Sequence, residues 1–215
     1  MDVIKFLKRE LPLLALVLAP IIYLIIVWDK LPDQLPRQWS FNGEVVNYGP
    51  KYYIVLLNVG LYLLLLLAPI IDPRKKNYDI FSSTYFKLRL TLALFCSTIS
   101  TLIITKGLGY DINIDKIILI GVILLFITLG NYLGTIKSNW FIGIRVPWTL
   151  QNDVVWRKTH ILAGRLWFWV GLVLLFLSFL LPYRILNITL FVCILIMVII
   201  PIVYSYVIYQ KVIKS

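Results

Sequence analysis

Asp153, Arg157 and His160 recur at i, i+4 and i+7, a spacing that brings a carboxylate, a guanidinium and an imidazole to one face of a helix. Such a trio can relay a proton. His160 is nevertheless the only histidine in the chain, and neither an H-E-x-x-H pair of metal ligands nor a G-x-S-x-G nucleophile elbow occurs. The trio therefore reads as the solvated face of a loop helix, and the chain is expected to be no enzyme and to carry no cofactor or metal.

Uncharged polar groups form the other candidate sites. Thr84, Thr91, Thr98 and Thr105 recur every seven residues with Thr101 beside them, a continuous helical stripe edged by Ser97 and Ser100. It serves either helix packing through small side chains and interhelical hydrogen bonds or a polar ligand groove. Gly130 and Gly134 make a G-x-x-x-G that admits a neighbouring helix, and the amide of Asn131 between them calls for a partner across the interface. The ten acidic residues, Asp2, Glu10, Asp29, Asp33, Glu44, Asp72, Asp79, Asp111, Asp115 and Asp153, all lie outside the apolar centres of the expected spans. That disfavours a proton-coupled pump or cation transporter, which needs ionisable groups inside the membrane.

The elements that position these groups follow from composition. The chain of 215 residues is 60% hydrophobic and 14% charged, well above the apolar share of about 45–50% in soluble domains. Crossing a hydrocarbon core takes roughly 20 apolar residues per helix, and such runs occur at about 11–28, 52–71, 88–105, 117–136, 166–182 and 185–209. The expected fold is all-α: one polytopic membrane domain over 1–215, a bundle of six transmembrane helices in the cell membrane. The first run follows Lys5, Lys8 and Arg9 but is long and is not followed by an A-x-A site, so it reads as a retained anchor rather than a cleaved signal.

Orientation follows from Lys and Arg near span ends. With the N-terminus inside, the inner segments hold Lys5, Lys8, Arg9, Arg74, Lys75, Lys76, Lys87, Arg89, Lys137, Arg145, Arg157, Lys158, Arg165, Lys211 and Lys214, fifteen of 21. Both termini are expected in the cytoplasm. The net charge of +11 then reflects topology and attraction to anionic membrane lipid rather than nucleic acid. Trp28, Trp39, Trp140, Trp148, Trp156, Trp167 and Trp169 fall in loops or near span ends, where an amphipathic ring prefers the interface. Cys96 and Cys193 lie inside apolar runs and read as packing residues.

The outer loop, 29–51, carries Asn42-Gly43 between "RQWSF" and "EVVNY", the signature of a tight β-hairpin whose two central residues tolerate positive φ. Pro32 and Pro36 stiffen its approach, and Trp39 and Phe41 alternate with polar neighbours. This hairpin is either a connector or a ligand-facing lid.

The inner loop, 137–165, contains "NWFIGIRVPWTL", Asn139 to Leu150. The chain must leave helical geometry near Val146, which precedes Pro147, and "NDVVWRKTHILAGRLW" restarts a helix capped by Asn152 or Asp153. Val155, Thr159 and Leu162 share one face, roughly opposite Arg157. The loop is expected to be a re-entrant or surface-lying amphipathic element, pinned by Trp140, Trp148 and Trp156 and basic on its watery side.

The string "IGIRVPWTL" followed by "VW", with "LPDQLPRQWSFNG" after the first span and "GYDINID" before the fourth, resembles the SdpI family of bacterial membrane proteins. The resemblance covers nearly the whole chain. It implies immunity against a secreted killing peptide and, as in the founding system, a receptor that holds a cytoplasmic repressor at the membrane. The motif residues are Gly143, Arg145, Pro147, Trp148, Thr149, Leu150 and Trp156, with Asn139 leading the string; Val146 stands where a hydroxylated residue is common. Ligand candidates in the outer loop are Pro32, Pro36, Trp39, Asn42 and Gly43. The expected partners are membrane lipid, a toxic peptide outside and a repressor inside, met by Arg145, Arg157 and Lys158. A small lipid or peptide translocator is the alternative, with Thr91, Thr98, Thr101 and Asn131 as its polar path.

Overall fold

The computed structural model describes residues 3–214, with side chains from residue 8 onward. Asp2 and the side chain of Lys5, counted above, lie outside the described residues. In chain order the elements are α1 (Val3–Ile26), a 3-10 turn (Trp28–Lys30), β1 (Gln34–Trp39), β2 (Val45–Pro50), α2 (Tyr53–Ile71), α3 (Lys75–Ile80), α4 (Ser82–Gly107), α5 (Ile114–Leu133), α6 (Pro147–Gln151), α7 (Asp153–Leu177) and α8 (Tyr183–Lys214). All but α3 and α6 of these helices are long and apolar enough to cross a membrane, six in number. Each closes its own backbone hydrogen bonds, the requirement that a lipid solvent imposes. The expected all-helical membrane fold with a small hairpin is what the structure shows, and the chain is a multi-pass membrane protein.

Helix ends depart from the apolar runs where capping overrides hydropathy. The fifth membrane-capable helix begins at Asp153, well before Leu166, because Asn152 Oδ1 accepts the Val154 and Val155 N–H groups at 2.9 and 3.2 Å. Loop helix and span are thus one helix. The chain forms two compact units, Met1–Leu65 with Arg89–Leu119 and Leu66–Leu88 with Ile120–Ser215.

In the first unit, Leu24 of α1, Leu31, Leu35 of β1, Ile54 of α2, Ile103 and Ile104 of α4 and Ile114 of α5 form a buried core. The hairpin is rooted in it. Leu35 is fully buried, Trp39 packs against the cluster, and Tyr53 donates its hydroxyl proton to the Pro36 carbonyl at 2.8 Å. β1 and β2 pair antiparallel, with irregular register between Pro36 and Trp39.

Two expectations about this loop are corrected. Gly43 adopts φ +88° while among the described residues no non-glycine residue has positive φ, so Asn42-Gly43 is not a turn with two left-handed centres. Instead Gly43 N–H bonds the Ser40 carbonyl at 3.0 Å, Ser40 N–H bonds Glu44 O at 2.8 Å, and Ser40 Oγ accepts from Asn42 and Glu44 N–H. This is a longer loop with one left-handed glycine closing it. Pro36, for its part, lies buried inside β1 rather than in the approach; a proline is tolerated there because a two-stranded sheet is all edge.

Glu10 lies outside the apolar centre of the first span, as expected, but inside the start of the membrane-capable stretch Lys8–Ile26, where it is buried. The helix starts before the apolar run, and the carboxylate turns inward to meet Arg89.

In the second unit, α5 and α7 approach so closely that a Cβ added at Gly130 would stand 2.6 Å from the Phe168 backbone N and 2.9 Å from Gly164 O. The G-x-x-x-G therefore marks a helix contact, with Gly164 as its counterpart. Asn131 is exposed rather than turned into that contact. α7 also packs along α8, where Trp167 Nε1–H bonds Met197 O at 3.0 Å and the indole meets Phe126 edge-on at 5.2 Å.

Candidate functional site

The motif string folds around one amide. Asn139 is fully buried; its Oδ1 accepts from Phe141 N–H at 2.9 Å and Ile142 N–H at 2.7 Å, and its Nδ2 donates to Lys137 O at 2.9 Å and Ile142 O at 3.1 Å. A loop of this length has backbone groups that helices cannot satisfy, and this side chain satisfies four of them.

Beneath it lies Asp72, which follows α2. Its Oδ1 accepts from Arg74 N–H at 2.7 Å, and its Oδ2 accepts from Trp140 N–H at 2.8 Å and from the Tyr78 hydroxyl at 2.9 Å. The buried carboxylate thus has three donors, which offsets its desolvation. Burial, reinforced by donation to Asp72, pushes the Tyr78 hydroxyl well above the ordinary tyrosine range, so it remains a proton donor. Tyr78 also stands 3.3 Å from Asn139 Oδ1 and packs with Phe81, Tyr85, Leu88, Ile136 and Trp156.

His160 closes the knot from α7. The Trp156 carbonyl can only accept, so Nδ1, 2.8 Å away, carries the proton, and Nε2 accepts Ile144 N–H at 2.9 Å. The ring stacks on Trp156 at 4.0 Å. His160 is therefore buried and occupied by the loop, not solvated, while Asp153 and Arg157 are exposed. The three residues do not form a proton relay.

The remaining motif residues divide by exposure. Thr149 is buried; its Oγ1 accepts Val146 N–H at 3.0 Å and donates toward Ile144 O at 2.8 Å, fixing the turn into α6 with Pro147 at its first position. Trp156, expected at the interface, is in the core, with Nε1–H bonded to Ile136 O at 2.8 Å. Trp148 donates to Ser205 Oγ at 2.6 Å and meets Tyr206 at 5.3 Å, tying α6 to α8, and Leu150 packs beside the aromatic cluster. Arg74 reaches the Leu150 carbonyl and lies 3.6 Å from Asp153. Arg145 bonds the Trp140 carbonyl and is exposed, as are Trp140, Gly143 and Pro147. Most of the motif therefore builds a rigid loop, and Arg145 and Trp140 are what it displays.

The outer-loop candidates divide similarly. Pro32 and Asn42 are exposed, Gly43 is half-buried, and Pro36 and Trp39 belong to the root of the hairpin. Phe41, which alternates with polar neighbours in the sequence, is exposed there, and so are Val46 and Tyr48, which the sequence reading missed; their signal was alternation along β2.

Within the first unit a polar cluster sits among apolar helices. Arg89 Nη1 and Nη2 bond Glu10 Oε1 and Oε2 at 2.8 and 2.6 Å, Tyr62 donates to Glu10 Oε2 at 3.2 Å, and the guanidinium lies 5.6 Å from the Tyr62 ring centre. Farther along α2 and α4, Asn58 Nδ2 bonds Ser100 Oγ at 2.8 Å. Beyond Arg89, Ser97 and Ser100 of α4 are buried as well, whereas Thr98 and Thr101 are exposed and Thr101 bonds back to Ser97 O of its own helix. Thr91 is half-buried. The threonine stripe does not line an interior groove within this unit.

Residues 135–205 match the SdpI/YfhL protein family and residues 15–63 a domain of unknown function, DUF1648. The immunity protein SdpI of Bacillus subtilis (strain 168) is 29% identical over 175 residues, covering 80% of this chain and 82% of that protein. No solved structure matches. The first match covers the motif loop with α6, α7 and the first part of α8, the second runs from within α1 through the hairpin into α2, and over these segments the multi-pass membrane chain is similar in sequence to the SdpI/YfhL protein family.

Proposed function

We propose that this chain protects a bacterial cell against a secreted killing peptide, by binding the peptide rather than altering it. The observation that carries this reading is the alignment of four-fifths of the chain with a protein named for immunity. A binding role fits a site in which His160 is committed to the loop backbone. The basic bias of one set of loops supports cytoplasmic termini and an outward hairpin, whose exposed Phe41, Val46 and Tyr48 suit an amphipathic peptide. On the inner side, the exposed Arg145 and Trp140 form the surface on which a cytoplasmic repressor would be held.

The test is expression in a sensitive bacterial strain challenged with secreted killing peptides, with binding measured on the purified chain in detergent. Survival together with direct binding supports the reading. Survival that persists when Phe41, Val46 and Tyr48 are all replaced by Ser removes the hairpin from it, and unchanged sensitivity to every peptide tried overturns immunity.

A translocator is the second reading, favoured by the buried Glu10–Arg89 pair inside membrane-capable helices. Flux of a labelled lipid or peptide across proteoliposomes, lost in Glu10→Gln, would establish it in place of immunity.

A further inference from the structure

We propose that a groove of the second unit, between α3, the turn after α5 and the start of α7, is a binding site for the phosphate headgroup of an anionic phospholipid. The groove encloses about 790 Å³. Lys137, Arg157 and Lys158 line it, all exposed, against a single acid, Asp153, whose carboxylate already lies 3.6 Å from Arg74. Three cations facing one partly matched acid make a site of net positive charge.

Ser138 supplies the second observation. It lines the groove, is 3% exposed, and its hydroxyl has no partner, while its carbonyl accepts from Asn77 Nδ2 at 2.6 Å. Among the described residues of this unit, the hydroxyls of Ser138 and Thr159 alone are buried and unpartnered, and Ser138 is the one that lines the groove. A buried donor without an acceptor calls for a missing partner. A phosphate oxygen is such an acceptor, and it is also what Lys and Arg bind.

Position selects a lipid over other phosphates. α5 ends at Leu133 and α7 begins at Asp153, so the groove lies at the ends of two membrane-capable helices, at headgroup depth. Ile80, Val154 and Ile161 add apolar lining for the first part of an acyl chain. A zwitterionic headgroup would bring its own cation toward Lys137, Arg157 and Lys158, whereas phosphatidylglycerol brings none. A smaller adjoining groove, sharing Asn77, Asp153 and Val154 and lined by Arg74, Lys75 and Lys76, leaves room for the glycerol.

The full chain, purified in a neutral detergent, is titrated with short-chain phosphatidylglycerol and phosphatidylcholine, and bound lipid is read by native mass spectrometry. Phosphatidylglycerol should bind about tenfold more tightly than phosphatidylcholine, and combined Lys137→Gln, Arg157→Gln and Lys158→Gln should remove roughly that factor or more. Ser138→Ala, which deletes one buried oxygen, should weaken binding about threefold. Lys211→Gln with Lys214→Gln, exposed at the end of α8, should leave it unchanged. The proposal is overturned if the triple variant holds phosphatidylglycerol as well as the native chain does. It is equally overturned if inorganic phosphate at matched concentration displaces the lipid, or if an oligoglutamate peptide does, which would assign the groove to a free anion or an acidic protein.

Discussion

The imidazole of His160 stands where a side chain on residue 143 would have to go. A Cβ built on Gly143 runs into His160 Nε2 and lies 3.2 Å from Trp156 Cη2, and Gly143 itself adopts φ +111°. The next residue, Ile144, gives its N–H to the same nitrogen. The loop can lie against α7 only because residue 143 is a glycine.

Gly143→Ala therefore meets both backbone strain and a collision, and should lose on the order of 3 kcal/mol. Thermal unfolding in detergent measures this. A melting curve superimposable on that of the native chain would show that the loop does not need the left-handed residue.

Replacing His160 by Phe keeps an aromatic ring above Trp156 while removing the acceptor for Ile144 N–H. The cost should be about 1–3 kcal/mol, that of one buried donor left without a partner. Hydrogen exchange provides the specific readout, with the Ile144 amide losing protection ahead of amides in α8.

The Glu10–Arg89 pair should behave as buried ion pairs do, costly to break and cheap to replace. Glu10→Gln leaves the Arg89 charge without its counterion and should cost about 3–5 kcal/mol, whereas Glu10→Leu with Arg89→Met should recover much of that loss. A double-mutant cycle on unfolding free energy isolates the coupling. Additive single effects would show that the two groups are energetically independent.

Much of the fold was legible in the chain, and the reason is the solvent it is built for. Long apolar runs specify helices in lipid, and Asn42-Gly43 between alternating segments specifies a hairpin, because both signals are local. Asn152 announced the start of α7 in the same way. What was not legible is pairing at a distance. Nothing near Glu10 points to Arg89, and nothing near Asp72 points to Trp140 N–H or Tyr78. His160 looked solvated beside Asp153 and Arg157, since helical spacing groups residues on a face without revealing what covers part of it. The motif was recognisable as a string, but its division into buried scaffold and displayed Arg145 and Trp140 depends on geometry that only the folded loop supplies.

The hairpin surface offers a functional prediction. Phe41 and Tyr48 are each more than half exposed, so Phe41→Ser with Tyr48→Ser should leave the melting temperature nearly unchanged. If the hairpin receives the toxic peptide, the concentration tolerated by expressing cells should fall about tenfold or more, the loss of contact typical of aromatic anchors. Unaltered tolerance would move peptide recognition elsewhere on the protein.

Because Asn152 starts α7 inside the motif loop and the helix then runs unbroken to Leu177, the knot and the far end of that span are ends of one stiff rod. At 1.5 Å per residue it is roughly 37 Å long. A small tilt imposed at either end must be felt at the other as a sideways swing, with Gly130 and Gly164 as the fulcrum.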